Sequence, residues 1–250
     1  SVGRSMKMSK SKRNVVEPSA LIERYGADTA RIFSLFAAPP EKDLDWSEQG
    51  VEGAFRFLGR VYRLVAARAE SISAAPRQWN GSEEVRRIRQ VTHRTLRKVT
   101  EDIEERFHFN TAISAVMEMV NFLYLVDDAA WGTPATAGAL REAVELLLHM
   151  LSPFAPHVSE ELWRRVGNDD LLCSRRWPEA DAAAAREDTV ELVVQVSGKV
   201  RARLIVPAGA GEEEVRALAM VDPRVLEHTA GKEIRKTVYV PGKLFSIVAA

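Results

Sequence analysis

The apolar residues of this chain change their period once, and that change divides what the chain can fold into. Up to Val166 they recur at helical spacing, and from Val190 onward they alternate. Val51, Phe55, Leu58, Tyr62 and Val65 form one stripe. Val85, Ile88, Val91 or Thr92, Leu96, Val99 and Ile103 form a longer one. Ile113, Val116, Met117, Val120 and Leu123 supply a third, after Asn110. Leu140, Val144, Leu147, Leu148 and Leu151 supply a fourth, between Pro134 and Pro153. Each stripe needs a partner, and a bundle of four antiparallel helices is the economical solution. Ser47 and Ser82 precede acidic first turns and predict two N-caps. Pro153 and Pro156 break the helical run before Val158, Leu162, Trp163 and Val166 make a last short helix.

Beyond Trp177-Pro178, Ala182 to Ala185 read as a linker, and the alternating segment follows. Val190, Leu192, Val194 and Val196 predict a strand, Ser197-Gly198 a hairpin turn, and Lys199 to Val206 a second strand. The alternation places Lys199, Arg201 and Arg203 on one strand face and Val200, Ala202, Leu204 and Val206 on the other. Glu212 to Met220 reads as a helix, Val225 to Thr229 as a further helical turn, and Glu233 to Val240 and Leu244 to Val248 as strands. The expected product is a small α/β domain with one polar sheet face.

Composition excludes several function classes. The 35 basic and 35 acidic residues cancel, so any nucleic-acid contact must use local patches rather than global charge. No apolar run is long enough to span a bilayer, so no membrane partner is expected. The single Cys173 forms no internal disulfide, and a reducing, cytoplasmic compartment is the simplest expectation. The five histidines show no metal-site spacing, so the expected metal set is empty. Trp131, Trp163 and Trp177 are expected to pack rather than to stack on RNA. Of Met117 and Met119, one is expected to fill the core.

Lys7-Met8-Ser9-Lys10-Ser11 is the most informative stretch of the chain. The segment Arg4 to Arg13 is basic without an acid, as basic arms and transit peptides also are. Here it runs into a proline-started helix and Tyr25-Gly26-Ala27-Asp28-Thr29-Ala30-Arg31, and that context resembles the mobile phosphate-handling loop of the class I aminoacyl-tRNA synthetases. Further along, Trp46-Ser47, Gly50-Val51-Glu52-Gly53, Arg56-Phe57-Leu58, Phe109-Asn110-Thr111-Ala112, Pro153-Phe154-Ala155-Pro156-His157 and Glu160-Glu161-Leu162-Trp163 look like the helical anticodon-binding-type domain of the leucine, isoleucine, valine and methionine enzymes. Val194 to Arg201, Gly231-Lys232 and Tyr239 to Leu244 are similar to the terminal domain of bacterial-type leucyl-tRNA synthetases.

The resemblance implies a mainly α chain: residues 1–46 as the end of a catalytic domain, 47–187 as a helical anticodon-binding-type bundle, and 188–250 as a small α/β C-terminal domain. It implies ATP as cosubstrate with Mg²⁺ as its counterion. Lys10 would meet charge that develops on the phosphates during adenylate formation, and Lys7 would support it. Met8, Ser9 and Ser11 would shape the loop. Leucine tRNA is the implied macromolecular partner. Lys199, Arg201, Arg203, Lys232, Arg235, Lys236 and Lys243 would contact its phosphates.

No His-x-x-His signature, run of parallel strands or editing domain is found, so ATP and leucine would be held by a catalytic domain outside this stretch. The start at Ser1 suggests a longer protein, processing, or one chain of a split enzyme, and the stretch alone is expected to be inactive. Two alternatives stand beside this reading. One is a segment of an isoleucyl-, valyl- or methionyl-tRNA synthetase. The other is a stand-alone RNA-binding module without catalysis.

Overall fold

The computed structural model describes residues 16–186 and 189–249, and divides after Ala185 into two compact units. In the first unit the chain runs through α1 (Pro18–Tyr25), α2 (Ala27–Phe36), α3 (Glu48–Ala66), α4 (Ala69–Ala74), α5 (Glu83–Glu104), α6 (Phe109–Leu125), α7 (Asp128–Gly132), α8 (Pro134–Leu151) and α9 (Pro156–Arg165), closing with a short 3-10 turn at Leu172–Ser174. The second unit holds β1 (Thr189–Val196), β2 (Lys199–Pro207), α10 (Glu212–Val221), α11 (Pro223–Thr229), β3 (Ile234–Val240) and β4 (Leu244–Ala249). A mainly α chain with a small α/β C-terminal part is therefore the observed architecture.

The long helices start where short polar side chains satisfy orphan amides. Ser47 Oγ accepts from the Gly50 amide at 3.1 Å, and Ser82 Oγ from the Val85 amide at 3.3 Å. Acidic Glu48, Glu83 and Glu84 then face the positive helix ends. The stripes of α5, α6 and α8 bury Ile88, Leu96, Val99, Val116, Val120, Val144, Leu147 and Leu148 against one another. Met119 is the core methionine of α6 and Met117 is its partly buried neighbour. Trp131 and Trp163 are buried in the same core, and the partly buried Trp177 donates its indole N–H to Thr100 Oγ1 at 2.8 Å.

The α3 stripe lies one step around the helix from the one the spacing suggests. Ala54, Phe57, Val61 and Leu64 are buried with Val51, Leu58 and Val65, while Phe55 is 50% exposed and Tyr62 is only half-buried. Two readings of the stripe share positions 51, 58 and 65, and burial on several sides selects the wider one.

The alanine run is not a free linker. Asp181 Oδ1 accepts from the Ala183 and Ala184 amides, its Oδ2 accepts from Arg89 Nη2 at 2.9 Å, and Ala185 is buried. Arg89 Nε also donates to Glu142 at 2.8 Å. The Asp181 amide donates to His93 Nδ1 at 3.2 Å, so the ring proton sits on Nε2 and points at Glu142 Oε1, 3.2 Å away. Burial opposes ionisation of Glu142, and the hydrogen bonds from His93 and Arg89 overcome it, leaving the carboxyl below its ordinary range.

In the second unit the sheet order is β2-β1-β4-β3, with β1 and β4 parallel and the outer pairs antiparallel. Ser197 and Gly198 both take positive φ, as a two-residue hairpin turn requires. Val215 and Ala219 of α10 and Val225 of α11 pack on Leu192, Val194, Val196, Phe245 and Ile247, covering one sheet face. Opposite them, Val200, Ile205, Val238, Val240 and Val248 remain exposed. The open face is thus studded with aliphatic side chains rather than polar as expected. No helix among the described residues is long and apolar enough to cross a membrane.

Candidate functional site

The turn between α1 and α2 interlocks with the turn between α8 and α9. Gly26, at φ +85°, takes a conformation that side-chain-bearing residues rarely adopt, and it directs α2 away from α1. Asp28 follows in the first turn of α2. Its buried carboxylate meets His157 Nδ1 at 2.7 Å and accepts the Val158 amide at 2.8 Å. The N-cap Ala155 has no side chain able to cap α9, so an acid on a distant segment satisfies one of its orphan amides and faces its positive end. Three residues on, Arg31 donates from Nη2 to the Pro153 carbonyl at 2.7 Å and from Nε to the Phe154 carbonyl at 3.2 Å. Thr29 Oγ1 turns back to the Tyr25 carbonyl at 2.7 Å. Beside this joint lies a cavity of about 380 Å³, bounded by the α1–α2 turn, α3 and the start of α9.

Lys7, Met8, Ser9, Lys10 and Ser11 lie outside the described residues. What the structure shows is the frame that follows them, fixed to the bundle by Asp28 and Arg31.

The basic residues of the second unit are not brought together. The β1–β2 register slips between Val194 and Gln195, so that Val194 faces Ala202 while Gln195 faces Val200. This bulge at Arg201 corrects the expected single face for Lys199, Arg201 and Arg203. Lys199 pairs with the buried Val196, whereas Arg203 pairs with Val193 on the open face and donates to Glu191 at 2.8 Å. An extra residue in one strand reverses the side on which every residue beyond it points. Arg201 is half-buried, and its Nε lacks a hydrogen-bond partner.

Lys232 donates to the His228 carbonyl at 3.1 Å, Arg235 sits at a second register slip, and Lys243 lies in the β3–β4 turn. Lys236 pairs with Val248, which puts it on the open face with Arg203, at the opposite edge of the sheet. Sequence reasoning missed the aliphatic centre between those two cations. The unbroken apolar run Leu204-Ile205-Val206 was the signal for it, because a strand with one polar face would have interrupted it. Among the described residues no group of His, Cys, Asp and Glu is arranged to hold a metal.

The α1–α2 turn is thus joined to the helical bundle through Asp28, and the comparisons identify the family of that bundle. Residues 85–216 match the anticodon-binding domain of tRNA ligases, and the chain belongs to that family. Residues 2–47 match the class I tRNA synthetases for isoleucine, leucine, methionine and valine.

More particularly, the chain is similar to leucine–tRNA ligases along nearly its whole length. It is 54% identical over 98% of its length to that of Geobacter sp. (strain M21), covering 30% of that protein. It is 52% identical over 97% of its length to that of Geotalea uraniireducens (strain Rf4), covering 29%. Among solved structures, the LeuRS–tRNA–LeuAMS ternary complex of Agrobacterium radiobacter K84 agnB2 superimposes with a TM-score of 0.82 at 30% identity, over 98% of this chain and 32% of that one. The chain thus spans about 30% of the length of the curated relatives it matches.

Proposed function

We propose that this chain is the C-terminal portion of a leucine–tRNA ligase, supplying the ATP-phosphate loop and tRNA-binding parts for the ATP-dependent attachment of leucine to its tRNA. The observation that carries this reading is the match of 54% over 98% of the chain to a leucine–tRNA ligase. Similarity running on through the strand unit favours leucine over the isoleucine, valine and methionine relatives. Adenylate formation accumulates negative charge on the phosphates of ATP, and Lys10 supplies positive charge to them, with Lys7 beside it. Met8, Ser9 and Ser11 complete the loop, and Mg²⁺ accompanies the nucleotide. ATP and leucine are bound by a catalytic domain that this stretch does not include.

The second unit binds the body of the tRNA. Its open sheet face, with Arg203 and Lys236 at the two edges and aliphatic residues between, suits a phosphate backbone whose two strands straddle the sheet. Lys199, Arg201, Lys232, Arg235 and Lys243 are further candidates at its margins. A cytoplasmic setting follows from this role.

The test is a chimera in which this chain replaces the matching 30% of the Geobacter enzyme. Leucine-dependent ATP–pyrophosphate exchange and leucylation of leucine tRNA are expected to return, and exchange with isoleucine, valine or methionine is not. A folded chimera without leucylation, or one that charges another amino acid, overturns the reading.

A further inference from the structure

The cavity of about 380 Å³ beside the joint, whose wall includes Asp28, His157 and Val158, is built like a binding site. Three aromatic rings line it: Tyr25, Phe55 and Tyr62. Tyr25 and Phe55 meet edge to face at 5.6 Å, and Phe55 is nevertheless half exposed. Gly59 leaves the wall formed by α3 without a side chain, since a Cβ there would meet only the Arg63 guanidinium, at 3.2 Å from Nη1. An opening of this size with aromatic walls holds a planar group of one or two rings.

Guanidinium groups lie beside several of the lining residues. The Arg24 guanidinium lies 4.8 Å from the Tyr25 ring centre, and that of Arg165 lies 5.2 Å from Tyr62. Arg63 lies against Gly59, and Arg56 is two turns before it on the same helix. Glu52 faces Arg56 at 3.7 Å and Glu161 faces Arg165 at 2.7 Å, both in exposed pairs that an incoming phosphate can displace. Arg24 and Arg63 have no carboxylate partner among the described residues. Asp28, which also lines the cavity, directs its carboxylate oxygens to His157 and the Val158 amide. The His157 ring lines the cavity and uses Nδ1 for Asp28, which leaves Nε2 for the edge of a guest.

We infer that this cavity takes one unstacked nucleobase of an RNA, with its flanking phosphates on Arg24 and Arg63. Aromatic faces stack on any base, and guanidinium groups match phosphates. An apolar protein segment would fill the hollow but would leave the surrounding cations without a counterpart. This inference rests on the reading of the chain as an RNA-binding portion of a tRNA ligase, and the bound base comes from the tRNA in that reading. A free mononucleotide offers the same chemistry from a second source.

The test uses the 250-residue chain and a leucine tRNA transcript, with affinity measured across a salt series. Gly59→Leu fills the cavity from a helix that prefers leucine to glycine, so its Tm should equal or exceed that of the parent. It should weaken tRNA binding about tenfold or more. Gly59→Ala makes the same Cβ contact with Arg63 while leaving the cavity open, and should bind within about twofold of the parent. Arg24→Ala with Arg63→Ala should lower the slope of log affinity against log salt by about two.

In parallel, AMP, GMP, CMP and UMP are each titrated into the parent and into Gly59→Leu. A mononucleotide that binds the parent but not Gly59→Leu, while both bind tRNA equally, assigns the cavity to free nucleotides and overturns the RNA source. Equal tRNA affinity with no mononucleotide binding overturns the inference altogether. If Gly59→Leu instead loses only its association with the remaining part of the ligase, the cavity is a protein contact and the inference fails. A parent that binds no leucine tRNA overturns the underlying reading, which separates that failure from failure of the cavity alone.

Discussion

Asp28 and His157 stand 129 positions apart in the chain and 2.7 Å apart in space, and through this pair the turn that follows the lysine-rich loop is fixed to the helical bundle. The same carboxylate caps α9 through the Val158 amide. Asp28→Ala leaves that partly buried amide without its acceptor, a loss of about 1–3 kcal/mol. Asp28→Asn keeps an acceptor and should lose less. All five tryptophans lie in the first unit, so urea unfolding followed by their fluorescence reports on it directly. Equal stability of Asp28→Ala and the parent would show that the joint is held elsewhere.

Gly138 lies inside α8, where helix propensity alone favours alanine by about 1 kcal/mol. Yet a Cβ at this position would come within 1.9 Å of the Gln78 carbonyl and 2.8 Å of that of Pro76. The loop crosses the helix at bare backbone. Gly138→Ala should therefore destabilise the first unit by about 1–3 kcal/mol, the cost of overpacking a rigid contact. A stabilised variant in the same urea assay would place the loop farther from the helix.

Acid should loosen the bundle through identifiable groups. Burial opposes ionisation of Asp102, but hydrogen bonds from Lys98 and Thr111 overcome it, so its folded pKa lies below the ordinary 3.8. Glu142 likewise lies below 4.5, with His93 and Arg89 overcoming the effect of burial. A depressed carboxylate pKa means that the unfolded state binds protons first. The stability these groups contribute is present above the ordinary carboxylate range and is lost as the pH falls through the folded values. His149 acts earlier, because burial, aided by Arg175, pushes its pKa below 6.5, so stability begins to fall as the pH drops under that value. Glu142→Gln should be less stable than the parent at neutral pH, with the gap closing in acid. A gap that stays constant with pH would remove Glu142 from the account.

The two sheet-edge cations can be separated from their neighbour in salt titrations of tRNA binding. Arg203→Ala with Lys236→Ala should flatten the salt slope by about two, since each phosphate contact releases counterions. Lys199→Ala, on the other side of the bulge, should flatten the slope less than either edge cation does. The reverse pattern would move the RNA to the face that carries α10 and α11.

Much of this was legible in the sequence, and the parts that were not have physical reasons. The change of period marks out the helical and strand-containing regions because side-chain burial follows backbone geometry. Ser47 and Ser82 cap as expected because capping is local. The bulge at Arg201 is not local: a slip of pairing depends on the partner strand, and no residue of β2 announces it. The Asp28–His157 contact was hidden for the same reason. Both motifs were visible, but nothing in either names the other. Asp181, inside the stretch that reads as a linker, anchors the alanine run, and its partner Arg89, 92 positions away, is what the sequence does not name.

The central claim assigns two different tasks to the two ends of the chain, and one experiment on the Geobacter chimera separates them. ATP–pyrophosphate exchange and leucylation are measured side by side for the chimera, for Lys10→Ala, and for a version lacking residues 189–250. Lys10→Ala should slow exchange about 10²- to 10³-fold with little change in the KM for leucine, the scale of losing one preorganised donor to the transition state. The truncated version should retain exchange and fail to charge tRNA. Normal exchange in Lys10→Ala, or full leucylation by the truncated version, would contradict the account.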